Sequence, residues 1–133
     1  MKKKLILGLV GSGKTTLYRY LNEQKISYAV EIELPQSCED DEELKETLLR
    51  LYINNKNIET IIVHPYYLPN NWKEIVGDIE IELLDISIQE RLKRIVARSG
   101  QKLNKIFPIQ FILEEEKMWE RLKSNLWLYL FYF

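Results

Sequence analysis

The sequence of 133 residues is poor in cysteine and in long apolar runs, and each scarcity excludes a class of protein. Its single cysteine, Cys38, excludes an intramolecular disulfide and a zinc-binding thiolate cluster, which fits a reducing compartment. The longest apolar run, Leu126 to Phe133, is far shorter than the roughly 20 residues that a membrane helix needs. We therefore expect no membrane partner, and a fold that is stabilised by an ordinary apolar core.

An excess of charge of either sign is also absent. The sequence has 19 basic and 20 acidic residues, which gives a net charge of −1 at pH 7. No overall field would draw such a protein to nucleic acid, so we consider a nucleic-acid partner unlikely. The basic start, Met1 to Lys4, precedes an apolar stretch that is too short for a secretion signal, because glycines and Lys14 interrupt it. These features predict a cytoplasmic protein whose partners are decided by local sites.

The hydrophobic content of 46% is enough for one domain, which we place at residues 1–133. Strand-like and helix-like patterns alternate along the chain, which predicts an α/β fold with a mainly parallel sheet. A further segment, 126–132, has the branched and aromatic content of a fifth strand, or else it completes the helix before it. The other predicted strands are 4–10, 28–34, 60–65 and 79–85, and the predicted helices are 15–22, 40–54, 71–76, 88–99 and 109–124.

Only five glycines occur, yet three of them lie within one eight-residue segment between a predicted strand and a predicted helix. Small residues allow consecutive backbone N–H groups to turn around a di- or triphosphate, and the helix start adds the positive end of its dipole. The phosphate-loop pattern is Gly, any four residues, then Gly-Lys-Ser/Thr. It requires a strand before the loop and a helix after it, which is the context predicted here. The segment that matches it is Gly8-Leu9-Val10-Gly11-Ser12-Gly13-Lys14-Thr15.

Two side chains of this loop carry chemistry. Lys14 offers an ammonium group to the β- and γ-phosphates, and the Thr15 hydroxyl is placed to bind Mg²⁺. We therefore expect ATP and Mg²⁺ as cofactors; no Asn-Lys-x-Asp motif that would read guanine is present. The residues of this segment predicted to bind the nucleotide are Gly8, Gly11, Ser12, Gly13, Lys14, Thr15 and Thr16.

A second pattern follows the strand predicted at 79–85. The chain reads Leu84-Asp85-Ile86-Ser87 and then, within a predicted helix, Arg94-Ile95-Val96-Ala97-Arg98. This resembles the small phosphate-loop kinases, the group of adenylate kinase and the nucleoside and polynucleotide kinases. The resemblance implies a three-layer α/β/α fold with a five-stranded sheet in the order 2-3-1-4-5, a short lid at 98–108, and phosphoryl transfer from ATP.

The resemblance assigns Arg94 and Arg98 to phosphate binding and catalysis, with Arg91 as a third arginine that we place near the substrate. Guanidinium groups stabilise the charge of a transferring phosphoryl group through paired hydrogen bonds. Residues 94 and 98 are four apart, so both project from one side of a helix, and Arg91 is three residues before Arg94. The alternative is an ordinary solvated basic face.

The end of the third strand departs from the pattern of the kinase group, and the identity of the catalytic base is open. The third strand ends in His64, where these kinases often have an Asp that holds the water shell of magnesium, and imidazole is a poor magnesium partner. Asp85 is an alternative acid. For the catalytic base, Glu31 and Glu33 share one strand face, and we favour Glu33 because it is nearer the strand end where open α/β sheets bind ligands.

Acceptor recognition is predicted at Tyr66, Tyr67 and Trp72, whose rings follow the third strand and would stack on a nucleobase. The alternative for these rings is packing beneath a loop. The leading function is phosphoryl transfer from ATP to a nucleotide, a nucleoside or a similar small acceptor. The alternative is an ATP-binding regulatory or partner-binding protein, or a weak ATPase. A polynucleotide kinase would need a basic channel, which the net charge does not favour.

Overall fold

The computed structural model describes residues 3–99 and 109–132. The chain divides into two compact units, Met1–Asp85 and Ile86–Phe133, which we call the sheet unit and the helix unit. The single domain predicted over residues 1–133 stays a prediction. Of the predicted lid at 98–108, only the first two residues lie within the described ranges, as the end of a helix.

The described residues of the sheet unit form a four-stranded sheet in which every neighbouring pair is parallel. The spatial order is β2-β3-β1-β4, which confirms the order predicted for the first four strands. Each strand is shorter than its predicted segment but lies inside it. The strands are β1 (Lys4–Gly8), β2 (Ala29–Ile32), β3 (Thr60–Val63) and β4 (Glu80–Leu84).

The core of this unit follows the two central strands, because a parallel sheet that is covered on both faces needs apolar side chains on both. Leu5, Leu7, Ile61 and Val63 are completely buried. On one face, a helix packs its apolar side chains over β1, β2 and β3. That cluster comprises Ile6, Ala29 and Ile62 from β1, β2 and β3, and the side chains packed against it are Leu17, Tyr18 and Leu21 from the helix and Leu84 from β4.

The helices of the sheet unit are α1 (Lys14–Glu23), α2 (Glu42–Asn54) and α3 (Trp72–Val76). The acidic run before α2 serves the helix start, since the Asp41 carboxylate accepts a hydrogen bond from the Leu44 N–H at 3.0 Å. At the other end of α2, the Lys3 ammonium donates to the carbonyl oxygens of Tyr52, Ile53 and Asn55 at 2.7–2.9 Å. Charges at both ends therefore complement the helix dipole.

The helix unit contains α4 (Ile88–Ser99) and α5 (Ile109–Tyr132). The Ser87 hydroxyl caps α4 by accepting from the Glu90 N–H at 3.2 Å. The fifth strand predicted at 126–132 is wrong, because these residues continue α5. No Gly or Pro interrupts the run from Ile109, so each added residue extends the helix by one hydrogen bond, and this outweighs the weak strand preference of aromatic side chains.

Helix α5 has 24 residues but carries many charged side chains in its first half. Across residues 3–99 and 109–132, no helix combines the length and the apolar character that crossing a bilayer requires.

Candidate nucleotide-binding site

The loop between β1 and α1 has a backbone that favours glycine. Gly11 has φ 79° and Gly13 has φ 95°, both in the left-handed region where a side chain is strained. Gly13 is also the N-cap of α1, and no side chain caps this helix start. The first turn of α1 is therefore open to an anionic ligand, as the phosphate-loop motif predicts.

Gly8 is required for space, since it lies in an ordinary strand. A Cβ atom there would lie 2.5 Å from Ser12 Oγ and 2.9 Å from Lys14 Cγ. The Leu84 side chain closes the third side at 3.2 Å. The loop thus folds back tightly over the end of β1, and a methyl group at this position would push Ser12 and Lys14 out of place.

The side chains of Ser12 and Lys14 in this loop are placed to bind a phosphate ligand. Ser12 is 4% exposed, and its hydroxyl oxygen has no hydrogen-bond partner among the described residues. A buried polar atom without a partner is costly in a folded protein. The Lys14 ammonium donates to the Leu9 carbonyl oxygen at 2.9 Å, a contact that a phosphate, with its full charge, would outcompete. These residues fit a nucleoside triphosphate.

Thr15, the predicted magnesium ligand, is joined to strand β2. Its hydroxyl donates to the Glu31 carboxylate, with Oγ1 3.1 Å from Oε1 and 3.3 Å from Oε2. Burial raises the pKa of the Glu31 carboxyl, and the Thr15 hydrogen bond partly opposes that rise. Because the hydroxyl hydrogen points at Glu31, the oxygen lone pairs remain available to a cation. The hydrogen bond between Thr15 and Glu31 was not predicted from the sequence.

Glu33, the predicted base, is exposed and lies one residue beyond β2. Ile32 pairs with Val63 in the sheet, so Glu33 follows the last β2–β3 pair at the carboxyl ends of the strands. Thr16, also predicted to bind the nucleotide, is exposed in the first turn of α1. Asp85 is exposed directly after β4.

His64 follows β3 and serves the local fold. It is 4% exposed, and its Nδ1 accepts a hydrogen bond from the Tyr66 N–H at 3.0 Å. This contact caps the short 3-10 helix Pro65–Tyr67 and means that Nδ1 carries no proton. Within the described ranges no group of three or more His, Cys, Asp or Glu side chains is placed to hold a metal ion. A magnesium ion here would depend on Thr15 and the nucleotide phosphates.

The three aromatic residues predicted to bind the acceptor have different surroundings. Tyr66 is 37% exposed and Tyr67 is half-buried. Burial raises the pKa of the Tyr67 hydroxyl, and the nearby carboxylates of Glu39 and Glu33 raise it further. Trp72 is buried in the core of the sheet unit, which matches the alternative of aromatic packing.

The three arginines of α4 also differ. Arg91 is 1% exposed, and its guanidinium is bound to two carboxylates of α5, with Nη1 2.6 Å from Glu115 Oε1 and Nη2 2.7 Å from Glu116 Oε2. Arg94 is exposed and lies 3.3 Å from Glu90 on its own helix. Arg98 is exposed in the last turn of α4. Helical spacing alone did not distinguish the inward Arg91 from the two exposed arginines.

Comparisons with known proteins support the fold. A family model described as PduV-EutP, ethanolamine utilisation and propanediol utilisation, matches residues 1–63, which end with β3. A search of curated protein sequences found no significant match. Shikimate kinase from Acinetobacter baumannii, solved in complex with shikimate, superposes with a TM-score of 0.65 at 15% identity, over 94% of this chain and 79% of that chain.

A second solved structure, deoxyadenosine kinase from M. mycoides with dCMP and dCDP bound, matches over 92% of this chain and 84% of that chain, at 16% identity and a TM-score of 0.48. The superposition on shikimate kinase shows that the chain has the fold of the small phosphate-loop kinases. The resemblance inferred from the sequence is therefore confirmed at the level of fold.

Proposed function

We propose that this protein transfers the γ-phosphoryl group of ATP to a small acceptor, a nucleoside, a nucleotide or a similar compound. The fold alone does not carry the proposal, because one fold serves many activities. The observation that carries it is the phosphate loop after β1, whose backbone and side chains fit a triphosphate. At the carboxyl ends of β1 and β2, the Thr15 hydroxyl of this loop donates a hydrogen bond to Glu31. Open α/β sheets bind ligands at this edge.

The nucleotide would be held by the loop N–H groups and Lys14, and the buried Ser12 hydroxyl would gain the partner that it lacks. Bound ATP supplies the phosphoryl group, and Mg²⁺ offsets part of its charge. Thr15 would bind the ion through its oxygen while its hydroxyl continues to donate its hydrogen bond to Glu31. Glu31, which lies in β2, would thus orient Thr15.

Glu33 is proposed as the base for a hydroxyl acceptor. In such a transfer, the acceptor hydroxyl gives its proton to the Glu33 carboxylate. The acceptor oxygen becomes bonded to the γ-phosphorus as the bond between that phosphorus and the departing ADP oxygen breaks. The two carboxylates of one strand then have separate roles, because Glu31 is engaged by Thr15 and Glu33 is exposed.

Arg94 and Arg98 are proposed to stabilise charge on the transferring group, in keeping with the kinase-like spacing and their exposure. Arg91 is better explained as a support that joins α4 to α5, since two carboxylates already hold its guanidinium. Tyr66 and Tyr67 remain candidates for contact with the acceptor. Trp72 is a weaker candidate because it is buried.

The test is a coupled assay of ADP formation by the purified chain with Mg²⁺ and ATP, against nucleosides, nucleoside monophosphates and small alcohols. At least one acceptor should raise ADP formation above the rate without acceptor, and Lys14→Ala should abolish the increase. Glu33→Gln should lower turnover with little change in the KM for ATP. If no acceptor raises the rate while ATP still binds, transfer is the wrong function.

A second candidate, an ATP-binding protein without transfer, is favoured by one observation. Strand β3 is followed directly by a buried histidine that caps the next turn, and these kinases often have a carboxylate at that position. Such a protein would gain thermal stability from Mg²⁺ and ATP through mass action, yet consume none. The coupled assay and a thermal shift measurement together separate the two functions.

A further inference from the structure

The buried histidine after β3 makes contacts that give it a role on the acceptor side of the site. We propose that His64 is a positioning residue for the phosphoryl acceptor. It holds Tyr66 and Tyr67, the two tyrosines that are candidates for contact with the acceptor, between the phosphate loop and Glu33. The inference rests on the proposed function, since it concerns the same site. It follows from the register of three strands and from the contacts of this one residue.

The strand register places the end of β3 between the phosphate loop and the proposed base. Val63 of β3 pairs with Leu7 of β1 on one side and with Ile32 of β2 on the other, so the three strands reach the same level of the sheet. The residues that follow these three positions are Gly8, His64 and Glu33. Because β3 lies between β1 and β2, the segment after it begins between the group that would bind ATP and the group that would take the acceptor proton.

His64 contacts both tyrosines through its backbone and its side chain. Its Nδ1 accepts a hydrogen bond from the Tyr66 N–H at 3.0 Å, and its carbonyl oxygen accepts from the Tyr67 N–H at 2.9 Å. The imidazole ring also lies beside both phenol rings, with its centroid 4.8 Å from that of Tyr66 and 6.0 Å from that of Tyr67. One residue therefore holds the backbone and the rings of both.

Exposure decreases from the tyrosines to the histidine, and this separates their roles. Tyr66 is partly exposed and Tyr67 is half-buried, whereas His64 is buried. A ligand at this edge of the sheet would reach the phenol rings before it reached the imidazole. His64 would therefore act through the tyrosines and not by contact with the acceptor. Precise binding sites need such buried residues, whose packing and hydrogen bonds fix the residues that do contact the ligand.

The experiment removes the side-chain hydrogen bond in one variant and keeps it in another. His64→Leu fills much of the space of the ring but accepts no hydrogen bond, whereas the amide oxygen of His64→Asn can accept from the N–H two residues later. The full chain is assayed with Mg²⁺ and ATP, with adenosine, cytidine, AMP and glycerol as probes of the acceptor site. The quantities measured are kcat, the KM for ATP and the KM for each probe that raises ADP formation.

We expect His64→Leu to raise the KM for the acceptor about tenfold, because the Tyr66 N–H loses its partner and the turn shifts. The KM for ATP and kcat should change by less than about threefold, since the phosphate loop and Glu33 are unaltered. In His64→Asn, the KM for the acceptor should return to within about threefold of that of the unaltered protein, because the hydrogen bond is kept.

Three results would overturn the inference and leave the kinase function standing. They are an unchanged KM for the acceptor in His64→Leu, an equal rise in the KM for ATP, and a His64→Asn variant as impaired as His64→Leu. If no probe raises ADP formation by the unaltered chain, the kinase function itself fails and the inference fails with it. The two failures are therefore distinguishable.

A matched control separates positioning from a general loss of stability. Val76 is buried at the end of α3, shortly before β4 begins and so at the opposite end of the sheet. Val76→Ala should lower the midpoint of thermal unfolding through the cavity it leaves, with the KM for the acceptor unchanged. An equal rise in this KM in Val76→Ala would contradict the proposal. If His64→Leu does not fold, His64→Ala, which cannot clash, takes its place with the same expected rise.

Discussion

The phosphate-loop edge of the sheet unit and the α4–α5 contact of the helix unit use charged residues in opposite ways. In the sheet unit, apolar side chains of β1 and β3 fill the core, and Lys14 and Glu33 take no part in it. In the helix unit, Arg91 and Glu115 are 1% and 0% exposed and join α4 to α5, beside buried apolar side chains such as Trp119. The comparison teaches that a charged side chain is available for a ligand in the phosphate loop and is structural where α4 meets α5.

The physical reason lies in the cost of burying charge. A buried ion pair often contributes little net stability, yet removing one partner is strongly destabilising because the other charge stays buried. An exposed or half-exposed charge has no such effect. Substitutions of similar chemistry should therefore have very different results at the α4–α5 contact and at exposed positions.

The largest effect is expected for Glu115→Ala, which removes the buried carboxylate 2.6 Å from the Arg91 guanidinium. We expect the free energy of unfolding to fall by about 3–5 kcal/mol, measured by urea denaturation. Glu116→Ala is the matched control and should cost less, because Glu116 is 25% exposed and water can replace it. If Glu115→Ala does not fold, Glu115→Gln, which keeps an acceptor oxygen, should show a smaller loss. Similar stabilities for Glu115→Ala and Glu116→Ala would remove the contrast between buried and exposed charge.

The next effect is on ligand binding and not on folding. Lys14→Ala should leave the midpoint of unfolding unchanged without ligand, because the Lys14 ammonium donates to the Leu9 carbonyl oxygen of its own loop and is not part of the apolar core. It should lose the stabilisation of about 2.7 kcal/mol that ATP at 100 times its Kd gives the unaltered protein. Thermal shift with and without Mg²⁺ and ATP measures both. Lys56→Ala, in an exposed turn, is the control and should respond to ATP as the unaltered chain does.

A smaller effect is expected where β3 ends. His64→Asp keeps an acceptor for the Tyr66 N–H and adds a carboxylate near the phosphate loop. We expect the Mg²⁺ concentration for half-maximal ATP binding to fall about fivefold, equivalent to about 1 kcal/mol. His64→Asn separates charge from shape, and an equal response of the two variants would show that the strand end does not face the magnesium side of the loop.

The smallest change in stability is expected for Arg94→Ala. Its ion pair with Glu90 is exposed and within one helix, so the free energy of unfolding should change by less than about 0.5 kcal/mol. Turnover should nevertheless fall far more than ATP affinity does, because the proposed contact forms in the transition state. Equal losses in rate and affinity would make Arg94 an ATP-binding residue and not a stabiliser of the transferring group.

The phosphate loop and the first four strands were predictable from the sequence. The glycines at 11 and 13 adopt backbone angles that other residues rarely take, and this requirement is local. The central strands were predictable because buried parallel strands are continuously apolar. The strand ends differed by one or two residues, as the last side chains turn away from the sheet.

Three features were decided by tertiary structure. Thr15 meets Glu31 because α1 packs over β2, and no spacing in the sequence indicates a contact between residues sixteen apart. Arg91 turns inward because α5 carries two carboxylates at the matching height, although its spacing from Arg94 and Arg98 suggested a shared exposed face. The segment 126–132 remains helical because nothing in it ends α5.

The sequence by itself determined the phosphate loop and the four central strands, since backbone sterics and the burial of apolar runs act over a few residues. The order of the strands was an expectation from the resemblance to the small phosphate-loop kinases. Which charged side chains are left for ligands was decided only by the tertiary structure. The reason is that a charged side chain becomes structural when the fold places a partner from a distant segment beside it, and stays exposed to water and ligands when it does not. For Arg91 that segment is α5, and for Glu31 the distant partner is the Thr15 hydroxyl at the start of α1. Neither contact can be predicted from the local sequence pattern.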